Sequence, residues 1–250
     1  MDRQHLFVCG VARSGTTVLT RTLNGHPQIA LGLERFKGLV ARGRIEEYLP
    51  HPFTADRFFD FSDGLTDILP DSQAFGPFYA AVREKFDGAR YVGDKVPGMF
   101  RFMANMKRQF PEAKFVIIIR DIEQVAHSWD ARATNPADHW PERNDALRAV
   151  TIWNKGNHAF KHHVRTAPKR TVVVDHNSFF GDNTGEKIRA LCDFLDLPLA
   201  PEAASAFEAA HKRYVSRVAV KERSLRAEAR EAIDQHARQD LWEFLRARAI

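Results

Sequence analysis

The stretch "HLFVCGVARSGTTVLTRTLN", His5 to Asn24, decides the fold. It starts as a continuous apolar run closed by Gly10, the pattern of a strand buried on both faces of a parallel sheet. A glycine-bearing turn follows, then a helix predicted from Thr16 to Asn24, which "NGHP" stops through Gly25 and Pro27. Strand, turn and helix in this order present successive backbone N–H groups and a helix N-terminus to an anion. The turn "GVARSGTT", Gly10 to Thr17, nearly spells the nucleotide loop G-x-x-x-x-G-K-[ST], but Thr16 stands where lysine is needed. Ser14, Thr16 and Thr17 offer hydroxyls and Arg13 a positive charge. The loop reads as intact for an anion and not for a magnesium triphosphate.

The alternation of strand and helix continues down the chain. "KFVIIIR", Lys114 to Arg120, is the strongest strand, and Ile122, Val125, Ala126 and Trp129 after it share one helix face. Met99, Phe102, Met103, Met106 and Phe110 predict a further helix, closed by Pro111. "TVVVD", Thr171 to Asp175, precedes a helix whose apolar face is Ile188, Leu191, Cys192 and Leu195. The pattern predicts an α/β fold: three α/β/α layers around a central parallel sheet, P-loop NTPase-like, with ligands at the carboxyl ends of the strands. Residues 1–250 are expected to form one domain, and the stripe Ala146, Val150, Trp153, Phe160 and Val164 reads as core. An aromatic-rich insertion at about residues 36–88 interrupts the alternation, with helical spacing only at Phe78, Tyr79, Val82 and Phe86. It reads either as packing or as a cap over an acceptor pocket. From Arg223 onward the chain is charged, Ala-rich and expected to be helical, docked by Leu241, Trp242 and Leu245.

Composition narrows the class. Of 250 residues, 44% are hydrophobic and 28% charged, an ordinary soluble balance. Lys and Arg number 37 against 32 acidic residues, a formal charge of +5, and they are mixed with carboxylates along the chain. That spread argues against a nucleic-acid partner and for a local positive cleft that takes a small polyanion. No run reaches membrane-spanning length, and "MDRQHLFVCG" is too short an apolar start for a secretory signal. Cys9 and Cys192 read as buried thiols in a reducing compartment. A cytoplasmic location is therefore expected. No His/Cys set has metal-ligand spacing, so no metal is expected.

Two further constellations carry chemistry. In "RDIEQVAHSW", Arg120 ends the strongest strand, and a helix starting near Asp121 brings Ser128 alongside, an arginine and a hydroxyl suited to a phosphate monoester. In "GDKVP", Lys95 sits at the tip of a buried strand and faces the same edge.

Taken together, these residues resemble the sulfotransferases that use 3'-phosphoadenosine 5'-phosphosulfate (PAPS), in their bacterial, carbohydrate and tyrosyl-protein branch. "GVARSGTT" is similar to the family's 5'-phosphosulfate loop and "IRDIEQVAHSW" to its 3'-phosphate element. "LNGHPQIALGLE", "GDKVP" and "VVVDHNSFFGDNTGEKIRALCDFLDLP" extend the resemblance from about His5 to Pro198. It implies sulfuryl transfer from PAPS to an acceptor hydroxyl, or an amine, with adenosine 3',5'-bisphosphate (PAP) as product. Arg13, Ser14, Gly15, Thr16 and Thr17 would hold the 5'-phosphosulfate, and Arg120 and Ser128 the 3'-phosphate. Lys95, with Arg13, would stabilise charge on the sulfuryl group and leaving phosphate, and Glu34 would be the general base. The acceptor would be a small molecule, a carbohydrate or a peptide, met by the insertion and by the loop "ARATNPADHWPERN".

Three departures from the small-molecule branch stand out. Pro97 replaces the histidine that branch uses as base, which favours Glu34. Asp175, His176 and Asn177 replace its adenine-contacting motif. Its C-terminal R-K-G element is not plainly present, and Arg217, Lys221 and Arg223 are the candidate substitutes. The alternatives are a P-loop kinase or NTPase, with Asp175 as a magnesium ligand, and a non-catalytic nucleotide-binding protein.

Overall fold

The computed structural model describes residues 3–138, 140–218 and 225–250. The first half of the chain forms β1 (Gln4–Cys9), α1 (Thr16–Leu23), β2 (Ile29–Leu33), α2 (Lys37–Ala41), α3 (Ala55–Phe58), α4 (Gly76–Phe86), β3 (Tyr91–Lys95), α5 (Met103–Gln109) and β4 (Lys114–Ile119). The second half forms α6 (Ile122–Ala133), α7 (Ala146–Thr166), β5 (Thr171–Asp175), α8 (His176–Gly181), α9 (Glu186–Phe194), α10 (Pro201–Val218), α11 (Ala227–His236) and α12 (Gln239–Arg246). The five strands make one parallel sheet in the order β2-β3-β1-β4-β5. With β1 at the centre, the turn that follows it opens at the middle of the sheet's carboxyl edge, where the strand order reverses and ligands bind in such folds.

Two apolar layers cover the sheet. Leu6, Val8, Ile118 and Val174 face one layer, packed with Leu19 and Leu23 of α1 and Phe207 of α10. Phe7, Phe115, Ile117 and Val173 face the other, with Val125, Trp153 and Phe160 of α6 and α7. The stripe Ala146, Val150, Trp153, Phe160 and Val164 is core, as its spacing predicts.

The aromatics between residues 36 and 88 turn inward. Phe53 sits edge-on to Phe7 at 5.8 Å and to Phe36 at 5.3 Å, and Phe58 lies 4.8 Å from Phe86. Below them runs a wholly buried guanidinium, Arg35, which donates to the carbonyls of Phe58, Arg57 and Asp60 and to the Asp63 carboxylate at 2.8 Å. A buried arginine matched by carbonyls and a carboxylate holds an irregular segment that has little regular structure of its own.

One element differs from its sequence reading, and one had none. The stripe from Met99 to Phe110 is not one helix: a 3-10 turn spans Pro97–Phe102 before α5 starts at Met103. Pro97 and Gly98 at its start favour the tighter turn over an α-helical entry. The strand "IALGL" carries no strong β-signal because Gly32 interrupts it, yet a Cβ at Gly32 would stand 2.9 Å from Asp94 Oδ1. The position is glycine because a buried carboxylate takes its side-chain space.

Burial pushes the imidazoles of His5 and His163 down to about 4, aided by Arg3 for His5 and by Lys107, Arg170 and His162 for His163. Both are neutral in the folded chain at pH 5, whereas unfolded histidines titrate near 6.5 and take up protons there. Stability should therefore fall as pH drops from about 6.5 toward about 4. A urea midpoint at pH 5 equal to that at pH 7 would count against this.

Candidate active site

The turn after β1 is built on two left-handed residues, Arg13 at φ 74° and Gly15 at φ 94°. Ser14 N–H donates back to Val11 O at 3.1 Å, which closes the turn, and α1 then starts at Gly15 with no side-chain cap. Uncapped N–H groups at the head of a helix carry partial positive charge and are the natural partners of an anion. The loop leaves no slack for larger side chains. A Cβ at Gly10 would meet Thr16 Cγ2 at 2.7 Å, and one at Gly15 would meet His176 Cδ2 at 2.4 Å.

A cavity of about 910 Å³ opens in front of this helix end. Arg13, Gly15, Thr16 and Thr17 line it from the loop, and Arg120, Gln124 and Ser128 from the end of β4 and from α6. Asp121 caps α6 by accepting from Glu123 N and Gln124 N, so the helix rises directly beside Arg120. Ser128 is brought to the loop, though its hydroxyl accepts from Arg13 Nε at 3.0 Å rather than from Arg120. Arg120 donates to Arg13 O at 3.0 Å and to Gln124 Oε1 at 2.8 Å. Arg13 thus joins the two elements, and these loop and strand-end residues form one site. Ser14 is the exception: its hydroxyl is wholly buried without a hydrogen-bond partner.

The charge balance of this cavity is one-sided. Burial lowers Arg120 to about 10, with Arg13 the next cause, and burial lowers Arg13 too, with Arg132 next. His176 is pushed down to about 4 by burial and then by Arg120 and Arg217. Asp138 offsets part of this at Arg13, and Tyr214 and Asp121 part of it at Arg120, but burial and the neighbouring guanidiniums outweigh them, a balance that a bound anion would relieve. Asp175 does not fill the gap, because its carboxylate accepts from Ser178 N at 2.8 Å and caps α8. An acid spent on a cap is a poor magnesium ligand. Among the described residues, no group of three or more His, Cys, Asp or Glu could hold a metal ion.

Sequence reasoning missed α10, which supplies the far wall through Ala206, Ala210, Arg213, Tyr214 and Arg217. The buried Ala203, Phe207 and Ala210, followed by half-buried Tyr214, recur at helical spacing, a signal that was there to be read. His176, Phe180 and Tyr214 form an aromatic corner, with His176 5.3 Å from Phe180 and 5.7 Å from Tyr214. Arg217 lines the cavity as a candidate, while Lys221 and Arg223 lie outside the described residues, as does His139 of the loop after α6. That loop is tied back to α6: Arg132 grips Asp138 at 2.5 Å, and Trp140 meets Trp129 edge-on at 5.0 Å.

Lys95 and Glu34 form a second cluster, apart from the cavity lining, at the neighbouring ends of β3 and β2. Lys95 Nζ is 2.6 Å from Glu34 Oε1, with the lysine side chain 1% exposed and the glutamate 23%. Glu34 N–H also donates to Lys95 O at 2.9 Å, so the two residues are paired by both backbone and side chain. Lys37 lies 3.8 Å from the other carboxylate oxygen and 2.5 Å from Asp67.

Comparison with known proteins agrees with this geometry. The sulfotransferase family profile matches residues 5–201, and the chain belongs to that family. Protein-tyrosine sulfotransferase 1 of Homo sapiens is 27% identical over 154 residues, 62% of this chain and 40% of that protein. A putative protein-tyrosine sulfotransferase of Caenorhabditis briggsae is 26% identical over 200 residues, 78% of this chain and 66% of the relative. The matched stretch thus spans about two fifths of the human relative's length. Two solved folds are similar. The sulfotransferase domain from the curacin biosynthetic pathway has a TM-score of 0.54 at 17% identity, covering 93% of this chain and 97% of that one. A mouse sulfotransferase complexed with PAP has a TM-score of 0.55 at 10% identity, covering 99% and 89%.

Gly15→Ala should weaken PAP binding by about tenfold or more, because it combines an L-residue at positive φ with a clash at His176. Calorimetry checks this; unchanged affinity would mean that the loop tolerates a side chain there.

Proposed function

We propose that this protein transfers a sulfuryl group from PAPS to an acceptor hydroxyl. The observation that carries the reading is an uncapped helix end that opens on a cavity lined by Arg13, Arg120 and Ser128, with the Lys95–Glu34 ion pair at the ends of the adjoining strands β3 and β2. PAPS fits the residues present: its anionic groups meet a cavity lined by Arg13, Arg120, Arg213 and Arg217 at a helix N-terminus, and the aromatic corner of His176, Phe180 and Tyr214 suits a purine. The loop from Arg13 to Thr17 holds the 5'-phosphosulfate, and Arg120 and Ser128, with Arg217 beside them, hold the 3'-phosphate.

When bound, PAPS supplies an activated sulfuryl group whose leaving group is a phosphate. The protein's part is positioning and charge stabilisation, as in phosphoryl transfer. Glu34 accepts the acceptor's hydroxyl proton as the new S–O bond forms. The bond to the phosphate breaks, and its electron pair stays on PAP. Lys95 and Arg13 offset the charge that collects there.

A peptide tyrosine is the acceptor to test first, supported by the named activity of the curated relatives; carbohydrate and small-metabolite hydroxyls follow, and amines after them. The cap over the acceptor is assigned here to the insertion at about residues 36–88. A reducing compartment such as the cytoplasm is proposed as the location. Its support is two free, buried cysteines, Cys9 and Cys192, whose thiols burial pushes up to about 12 and about 11. Among the described residues, no helix is long and apolar enough to cross a membrane.

A screen of acceptors with labelled PAPS, read by product mass, tests the reaction. Transfer to at least one acceptor class is expected, and PAP binding without transfer to any would leave only a nucleotide-binding protein. Glu34→Gln should cut transfer by about 10²-fold or more while leaving PAP affinity in place. A variant as fast as wild type would remove Glu34 from the base role. Arg120→Ala should weaken PAP by about 10- to 100-fold but leave adenosine 5'-phosphate nearly unaffected, since only PAP carries the 3'-phosphate. Equal losses for both nucleotides would place Arg120 elsewhere in the site.

A further inference from the structure

Between the strand ends and the insertion lies a carboxylate that no step above uses. Asp94 is the residue before Lys95, 1% exposed, and opposite Gly32 in the β2–β3 register. Strand alternation sends it to the opposite face of the sheet from Lys95. Its oxygens are fully engaged. Oδ1 accepts from Lys95 N at 2.8 Å and Arg35 N at 3.1 Å; Oδ2 accepts from Phe36 N at 2.9 Å, with the Tyr48 hydroxyl at 3.5 Å.

These contacts enclose the Glu34–Lys95 pair. One bond holds the backbone of Lys95 itself, and two hold the residues directly after Glu34. Glu34 is left in the left-handed region at φ 58°, a conformation that costs about 1–3 kcal/mol for a non-glycine residue unless its surroundings impose it. Arg35 anchors the same turn from the other side through Asp63 and the carbonyls of α3, so the segment cannot relax outward. The empty side-chain space of Gly32 exists to admit Asp94, whose Oδ1 would stand 2.9 Å from a Cβ there.

We infer that Asp94 is the positioning residue of the reaction: from the far face of the sheet it fixes the strained turn that aims the Glu34 carboxylate at Lys95. It touches neither donor nor acceptor and acts through Glu34. The inference rests on the transferase reading for its kinetic consequence, but not for its structural one.

Asp94→Asn tests it. The amide keeps the size of the side chain but turns one acceptor into a donor, which must face either Phe36 N–H or the N–H groups of Arg35 and Lys95. Relaxation of the turn should move the base by a distance that costs about 10²-fold in kcat for PAPS turnover, with KM for PAPS and PAP affinity unchanged. In a Glu34→Gln background the same change should cost little more, because the group it acts through is already disabled. Losses that multiply in the double variant would show a merely structural role and overturn the inference. A second readout needs no turnover: acetylation of lysines by acetic anhydride, mapped by mass spectrometry. Lys95 should be protected in the wild type and labelled several-fold faster in Asp94→Asn. Lys114, which is paired with Asp196 at 2.6 Å at the start of β4, should label equally in both and serves as the control for general unfolding. An unchanged Lys95, or a parallel rise at Lys114, would overturn the inference. Wild-type protein that protects Lys95 but never turns over PAPS would contradict the transferase reading instead.

Discussion

Everything in the site depends on one electrostatic constraint: the first turn of α1 ends in N–H groups that no side chain caps, and they point at the middle of the sheet edge. A helix end of this kind is stable when an anion completes it. The turn that aims it needs two left-handed residues, Arg13 and Gly15, and a clear space at Gly15 because the His176 ring packs against it. Sheet order then decides what can surround the anion. With β1 central, its neighbours β3 and β4 contribute Lys95 on one side and Arg120 on the other.

The two sides are balanced in different ways. On the β4 side, beyond burial, the charge of Arg13 lowers Arg120, that of Arg217 lowers both, and Arg120 and Arg217 lower His176, while Asp121 and Asp138 offset only part of this. On the β3 side the deeply buried ammonium of Lys95 already has a partner in Glu34. On the proposed reading, holding and reacting are thereby separated: the phosphates would meet Arg13 and Arg120, while the proton acceptor, Glu34, stands in a pre-formed ion pair. The backbone around that pair is rigid because Asp94 and Arg35 each satisfy several groups at once, and such networks fix one arrangement when every member is paired.

Much of this was legible in residue order. β1, the loop, α1, β4, α6 and β5 follow from long apolar runs, capping residues and the near-miss to a nucleotide loop. Those are local signals, and local signals survive without tertiary context. The Lys95 strand tip and the placing of Arg120 and Ser128 on one cavity follow in the same way, although Ser128 bonds Arg13 rather than Arg120. What escaped was set by contacts distant in sequence. β2 was hidden by Gly32, whose reason is Asp94 across the sheet. The pairing of Lys95 with Glu34 could not be seen, because it depends on β2 and β3 lying side by side. α10 went unread although its spacing is helical, and with it went Tyr214 and the full role of Arg217. The aromatics between residues 36 and 88 left packing and a cap both open, and most of them fill core.

On the proposed reading, the cradle after β1 takes a 3'-phosphorylated nucleotide in preference to a magnesium triphosphate. Isothermal calorimetry of the whole protein, titrated with PAP and separately with ATP plus magnesium, tests this most directly. The account predicts that PAP binds without added magnesium and that magnesium-ATP binds far more weakly. Magnesium-dependent ATP binding without affinity for PAP would contradict it.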